Sequence, residues 1–385
     1  MTSDPTATGP RAFGEEYAPD FGRGALSVVA GGSRPTDAAP AVPPPVRRAA
    51  ALNLPELAAA VRAGQRRELG RAITLVESGR VDDRALAYEL LRELRRQAGD
   101  RPLAVRVGVT GVPGAGKSTF IDALGVKLIE QGHRVAVLAV DPSSSRTGGS
   151  ILGDRTRMSA LAQSDNAYIR PSPSGNHLGG VARATREAML LVEAAGYDVV
   201  LVETVGVGQS EVAVAGMVDT FLLVTLARSG DQLQGIKKGI LEMADIITVN
   251  KADGDNETAS QVAARELRTA MRLINANSKQ RLPPVLTSSS YTGIGLMEVW
   301  QAILDHRAYL ESSGGLAERR ARQQRDWMWS LVDDTLLETM RQTPAVKARR
   351  QAVEQAVMTG ELSAVDAAED MLEIFGAHIP AKWLA

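Results

Sequence analysis

The sequence has no cysteine, which excludes disulfides, thiolate metal sites and cysteine nucleophiles. Histidine is nearly as scarce. His133, His177, His306 and His378 are scattered without ligand spacing, so no histidine-based metal site is expected. Aromatic residues make up only 4% of the chain, so its core must be assembled mostly from Val, Leu, Ile and Ala, which a hydrophobic content of 44% allows. An excess of one charge is missing too. With 44 basic and 45 acidic residues the net charge is −1, which gives no electrostatic case for nucleic acid or an anionic membrane as the main partner. No apolar run approaches the roughly 18 residues of a bilayer-spanning helix. The N-terminus lacks a basic-then-apolar leader, and Asp4, Glu15, Glu16 and Asp20 argue against an acidic-poor transit peptide, so a cytoplasmic location is expected.

What is present is a change of pattern along 385 residues, a length that suits one large α/β core with additions. Residues 1–50 hold 14 Pro and Gly and little periodicity, and read as a disordered tail or linker with a short aromatic motif at Phe13, Tyr17 and Phe21. Residues 51–102 read as a helical extension. Leu54, Leu57 and Val61, then Leu69, Ile73 and Val76, recur at helical spacing, and a third set from Ala85 to Leu94 follows Gly79. Within 103–312, short β-branched runs at 104–110, 133–140, 198–204, 220–226, 245–250 and 284–287 alternate with helical stretches. Continuous apolar strands separated by helices predict a mostly parallel sheet, buried on both faces and flanked by helices. Residues 313–385 carry only helical patterns, with Trp327, Met328 and Trp329 as a candidate dimer or partner surface.

Gly111, Val112, Pro113, Gly114, Ala115, Gly116, Lys117, Ser118 and Thr119 fit GxxxxGK(S/T) followed by Thr, between the run 104–110 and a helical pattern from Thr119 to Glu130. Glycines there let backbone N–H groups curl round phosphates, and the following helix N-terminus adds partial positive charge. Lys117 would reach the β/γ oxygens and the Ser118 hydroxyl would ligate Mg²⁺. Asn250, Lys251 and Asp253 form NKxD at the end of a later run. The Asp253 carboxylate can accept from the guanine ring N1–H and its exocyclic amine, a donor pair that adenine lacks, so GTP or GDP is the expected nucleotide. Ser289 and Ser290 follow the last run as a further base-side loop. Glu203, closing the run 198–204, is placed to hold Mg²⁺, and Gly206 to meet a γ-phosphate through its backbone N–H. Asp141 and Asp154 supply further carboxylates near the metal. The catalytic set is thus Lys117, Glu203, Gly206 and Asp141.

Three long segments resemble a known family. Val140–Met158 (VDPSSSRTGGSILGDRTRM), Glu203–Glu211 (ETVGVGQSE) and Gly230–Lys238 (GDQLQGIKK) are similar to motifs of the MeaB/ArgK group of P-loop GTPases, and the similarity runs from about residue 54 to the C-terminus. The resemblance implies a P-loop NTPase fold and a G-protein chaperone for an adenosylcobalamin-dependent acyl-CoA mutase, typically methylmalonyl-CoA mutase. Such a chaperone gates cofactor loading by an adenosyltransferase and protects the mutase from inactivation. It also implies a homodimer joined through C-terminal helices. By the same resemblance 141–158, 203–215 and 226–238 are three switch segments, Asp141 and Asp154 are linked to Mg²⁺, and Arg157, Asp231 and Lys237 couple the third switch to the nucleotide. Gln209 offers an amide with no assigned role. Two alternatives belong to other classes. An ArgK-like kinase or transport regulator would need an acceptor site, and none is seen. A nickel-insertion GTPase generally carries Cys/His ligands, which this sequence does not provide.

Overall fold

The computed structural model describes residues 53–97, 102–140, 157–171, 178–204, 210–227, 238–276 and 281–379. The chain divides into Met1–Ala51 and a compact unit Leu52–Ala385, to which all of these belong. Seven parallel strands form one sheet: β1 Val105–Gly111, β2 Val135–Val140, β3 Ala167–Pro171, β4 Val199–Thr204, β5 Thr220–Leu226, β6 Ile246–Asn250 and β7 Val285–Thr287. Their order is β3-β2-β4-β1-β5-β6-β7, with every pairing parallel. The runs read from sequence are these strands to within one or two residues, except one. The five-residue strand β3 escaped the sequence reading because AYIRP has a charge and a proline within its length. Arg170 explains its place at the edge: the guanidinium pairs with Glu77, its Nε lying 3.0 Å from Glu77 Oε1, and so hooks the strand to a flanking helix.

The sheet is apolar on both faces, as near-continuous runs of Val, Leu and Ile require. On one face Ala136, Leu138, Val200, Val202 and Phe221 pack under helices α1 Leu54–Arg62, α2 Arg66–Glu77 and α3 Val81–Arg96. The helix α6 Leu178–Ala194 closes the same layer. Of the residues the helical spacing singled out, Leu57, Val61, Leu69, Ile73, Val76, Leu90 and Leu94 are buried, while Leu54 is half-buried and Ala85 exposed. On the other face Val107, Val109, Val137, Leu201 and Leu222 meet α4 Lys117–Glu130 and α10 Leu296–Ser312. Between α4 and α6 lies the short α5 Ser159–Ala162, and α7 Ser210–Ala215 and α8 Lys238–Met243 follow β4 and β5. The helix α9 Glu257–Ile274 covers β6 and β7 through Ala263, Leu267 and Met271.

Three more helices follow: α11 Gly315–Gln342, α12 Pro344–Thr359 and α13 Ala364–Gly376. Only the first turns of α11 are bound to the sheet. Leu316 is buried, Arg320 donates to both Asp219 carboxylate oxygens, and Arg319 pairs with Asp245. Further along, Met328, Trp329, Leu336 and Leu337 are exposed. Pro344, which has no N–H to continue the ladder, starts α12 after Thr343. No helix among the described residues is long and apolar enough to cross a membrane.

Candidate active site

The central strand β1 runs between β4 and β5, and the C-terminal ends of β1, β4 and β6 open on one edge of the sheet. In parallel α/β sheets that edge is where ligands bind. Gly111 ends β1 with φ 154°, and a Cβ there would stand 1.9 Å from the Val224 carbonyl oxygen of β5. Only glycine permits that approach. Gly114 and Gly116 take φ 81° and 82°, and Ala115 is buried, its N–H donating to the Val112 oxygen at 3.1 Å. Pro113 and Gly114 face outward. The helix α4 begins at Lys117, two residues before the helical pattern suggested, so Lys117, Ser118 and Thr119 form its first turn. The free N–H groups of that turn and the loop make an anion cradle.

Lys117 lies back across this loop, donating to the Gly111 oxygen at 3.0 Å and the Val112 oxygen at 3.5 Å. Burial holds its amine below the ordinary lysine pKa, the carboxylates of Glu203 and Glu211 oppose that, and Arg157 adds to it. A phosphate would supply the missing counter-charge and draw the amine off the carbonyls. Ser118 donates from Oγ to Glu203 Oε1 at 2.8 Å, which joins the helix start to the end of β4. Beneath them Thr204 donates to Thr110 Oγ1 at 3.0 Å, both hydroxyls fully buried. The sequence reading gave Thr110, Thr204 and Glu211 no role. Their signal was polar residues inside or beside apolar runs, where an unpaired hydroxyl is costly.

The base side is organised by Asn250. Its Nδ2 donates to the Ala115 oxygen at 2.9 Å, while its Oδ1 accepts from Ser290 N at 3.2 Å and Ser290 Oγ at 3.0 Å. One buried amide thus staples the phosphate loop to the loop after β7. Ser288 joins from below through Thr248 at 2.8 Å, a pair that sequence reasoning did not single out. Lys251 takes φ 60°, unusual for a side-chain-bearing residue, and its stem runs past Gly116. Asp253 is half-buried beside it, with the Ala252 N–H held by the Ser288 oxygen at 3.0 Å. Ser289 is fully buried and its Oγ accepts from Thr292 N at 3.1 Å, so the hydroxyl holds its own turn. Gly295 ends that turn at φ 77°, where a Cβ would meet the Thr287 oxygen at 2.2 Å.

The structure therefore brings Gly111 to Thr119, Glu203, Asn250, Lys251, Asp253 and Ser290 to one edge, with exposed Arg157 within electrostatic reach of Lys117. Asp141, Asp154, Gly206, Gln209, Asp231 and Lys237 lie outside the described residues. The Ser118 hydroxyl and Glu203 carboxylate are hard oxygen donors in contact with each other beside the phosphate cradle, a donor set that fits Mg²⁺.

Comparison with known proteins agrees with this geometry. The family described as methylmalonyl-CoA mutase-associated GTPase MeaB matches residues 69–345. A Mycobacterium tuberculosis protein described as a probable GTPase is 59% identical over 318 residues, covering 83% of this chain and 94% of that one. The GTPase ArgK of Escherichia coli is 49% identical over 277 residues, covering 72% and 83%. The mouse methylmalonic aciduria type A homolog, described as mitochondrial, is 46% identical over 321 residues, covering 81% and 77%. A crystal structure titled LAO/AO transport system kinase superposes with a TM-score of 0.63 at 39% identity, over 84% of this chain and 97% of that one. With a phosphate loop, a guanine-type loop and a family match across most of its length, the chain is a P-loop GTPase and belongs to the MeaB family.

Proposed function

We propose that this GTPase acts as a chaperone of an adenosylcobalamin-dependent acyl-CoA mutase of the methylmalonyl type, gating cofactor loading by an adenosyltransferase and protecting the mutase. The observation that carries a switch acting on another protein is a link between the site and the C-terminal helices. Arg186 on α6 donates to the Gly216 oxygen at 2.9 Å, just after α7, and to the Gln323 oxygen of α11 at 3.2 Å. The helix α7 begins six residues after Thr204, so a change at Glu203 has a short covalent route to α7 and, through the Arg186 hydrogen bonds, on to α11. The family description and the mouse relative's name support the mutase as partner.

In this reading the phosphate-loop N–H groups and Lys117 hold the β/γ-phosphates, and Asp253 reads the guanine edge. Ser118 and Glu203, with Asp141 and Asp154, would hold Mg²⁺, which neutralises charge on the phosphate oxygens. Glu203 then stands between the phosphate end and the segment leading to Gly206, Gln209 and α7. Asp231 and Lys237 belong to the third switch and carry the partner's influence to that segment. The exposed Trp329, Leu336 and Leu337 of α11 support a homodimer formed through the C-terminal helices.

The test is GTP turnover with and without methylmalonyl-CoA mutase, for wild type and Lys237→Ala. Acceleration of wild type and its loss in the variant are expected, on a scale of roughly 5- to 150-fold. No acceleration of wild type by any acyl-CoA mutase would remove the chaperone reading and leave the GTPase.

A further inference from the structure

A large cavity lies away from the nucleotide site. It has a volume of about 1130 Å³ and lies at the opposite edge of the sheet, where Ala104, Arg134 and Asp198 precede β1, β2 and β4. Its walls come from α3, α6 and α11, and are largely apolar: Leu91, Leu94, Leu103, Leu190 and Leu331. Behind this wall two hydrogen-bonding groups are buried without a partner among the described residues, Tyr197 Oη and Trp327 Nε1.

Charge completes the site. Both carboxylates on the wall are already engaged. Glu193 is held by Arg106 at 2.6 and 2.7 Å, and Asp198 by His133 at 2.6 Å and the Arg134 N–H at 2.7 Å. Arg134 itself lies over the Tyr197 ring at 4.6 Å and donates to the Ala195 oxygen. Arg92 and Arg95 differ. They sit three apart on α3, on one helix face, exposed, and neither has a carboxylate partner among the described residues. A ligand-sized, largely apolar cavity with two uncommitted guanidinium groups on its wall has the anatomy of a small-molecule site.

We propose that this cavity binds an amphipathic anion, an apolar chain with a carboxylate or phosphate head. The chain lies against the leucines, and the head pairs with Arg92 and Arg95. This site is independent of the chaperone reading and of GTP binding.

The experiment is calorimetric titration of the full chain with dodecanoate, dodecyl phosphate and neutral dodecanol. Wild type should bind at least one of the anions saturably at one per chain, with dodecanol at least tenfold weaker. The tighter of the two anions then identifies the head group. Arg92→Ala with Arg95→Ala, both exposed positions, should weaken anion binding at least tenfold while leaving Tm unchanged. Absence of saturable binding of both anions, or equal affinity in the double variant, would overturn the proposal. Because the chain has no cysteine, Leu331→Cys gives a single thiol on the cavity wall for maleimide labelling and keeps both arginines. Protection by dodecanoate is expected. Protection without ligand that disappears on dilution would assign the groove to a second copy of the chain, and also overturn the proposal.

Discussion

Ser118 Oγ and Glu203 Oε1 lie 2.8 Å apart although 85 residues separate them in sequence. The contact joins the first turn of α4 to the end of β4, so the phosphate loop and the segment after β4 share one hydrogen bond. Ser118→Ala should weaken Mg²⁺-dependent GTP binding by on the order of 10- to 100-fold, the scale of losing a metal-supporting group. Glu203→Gln keeps an acceptor for Ser118 but removes the charge, so it should lower turnover more than GDP affinity. Fluorescent-nucleotide titrations across Mg²⁺ concentrations separate the two effects, and equal loss in both quantities would place Glu203 in binding alone.

Asp253→Asn removes the carboxylate proposed to accept both guanine donors. GTP affinity should fall by about 1–3 kcal/mol, while xanthosine triphosphate, which offers a carbonyl in place of the amine, should gain. Competition against a labelled GDP reports all of these. Wild-type affinity for ATP equal to that for GTP would dismiss the base assignment.

Gly111→Ala places a methyl 1.9 Å from the Val224 backbone oxygen, an approach that no rotamer change relieves. Separating β1 from β5 should cost at least the ~1–3 kcal/mol typical of overpacking. Gly180→Ala, in a helix with nothing within 4 Å, is the control and should be neutral or stabilising. Thermal unfolding of the two variants makes the comparison.

Glu187 is fully buried on α6 beside Arg183, 3.0 Å away, and burial pushes its carboxyl up to about 7 against the pull of Arg183 and Arg84. A folded-state value above the unfolded one means the stabilising contribution is complete below about pH 4.5 and is lost as pH rises toward 7. Glu187→Gln mimics the neutral form and keeps an acceptor for Arg183. Between pH 5 and pH 8, wild type should therefore lose stability that the variant retains. Parallel chemical denaturation at the two pH values measures this, and identical pH slopes would refute it.

Arg186 bridges Gly216 and Gln323 and, among the described residues, hydrogen-bonds none of those of the phosphate loop or the guanine loop. Arg186→Ala should leave basal GTP hydrolysis near wild type and reduce acceleration by the mutase by at least about fivefold, the lower range of allosteric coupling. Unchanged acceleration would remove this bridge from the coupling route.

Local pattern was enough for much of this protein. The β-branched runs forced a two-sided buried sheet because apolar residues at successive positions can be hidden only between two layers. The glycines and Lys117 between a strand and a helix specified a phosphate loop, because that chemistry uses backbone groups contiguous in sequence. Asn250 and Asp253 were legible for the same reason. Strand β3 was not, since an edge strand needs burial of only one side and tolerates Arg170 and Pro171. Tertiary structure alone decided the rest. Asn250 works as a staple between two loops, Ser289 turns inward, Thr110 meets Thr204, and Arg186 reaches α11. All but the Ser289 turn are pairings between residues distant in sequence, and a hydrogen bond requires a separation near 3 Å, which only the packing of strands and helices in three dimensions determines.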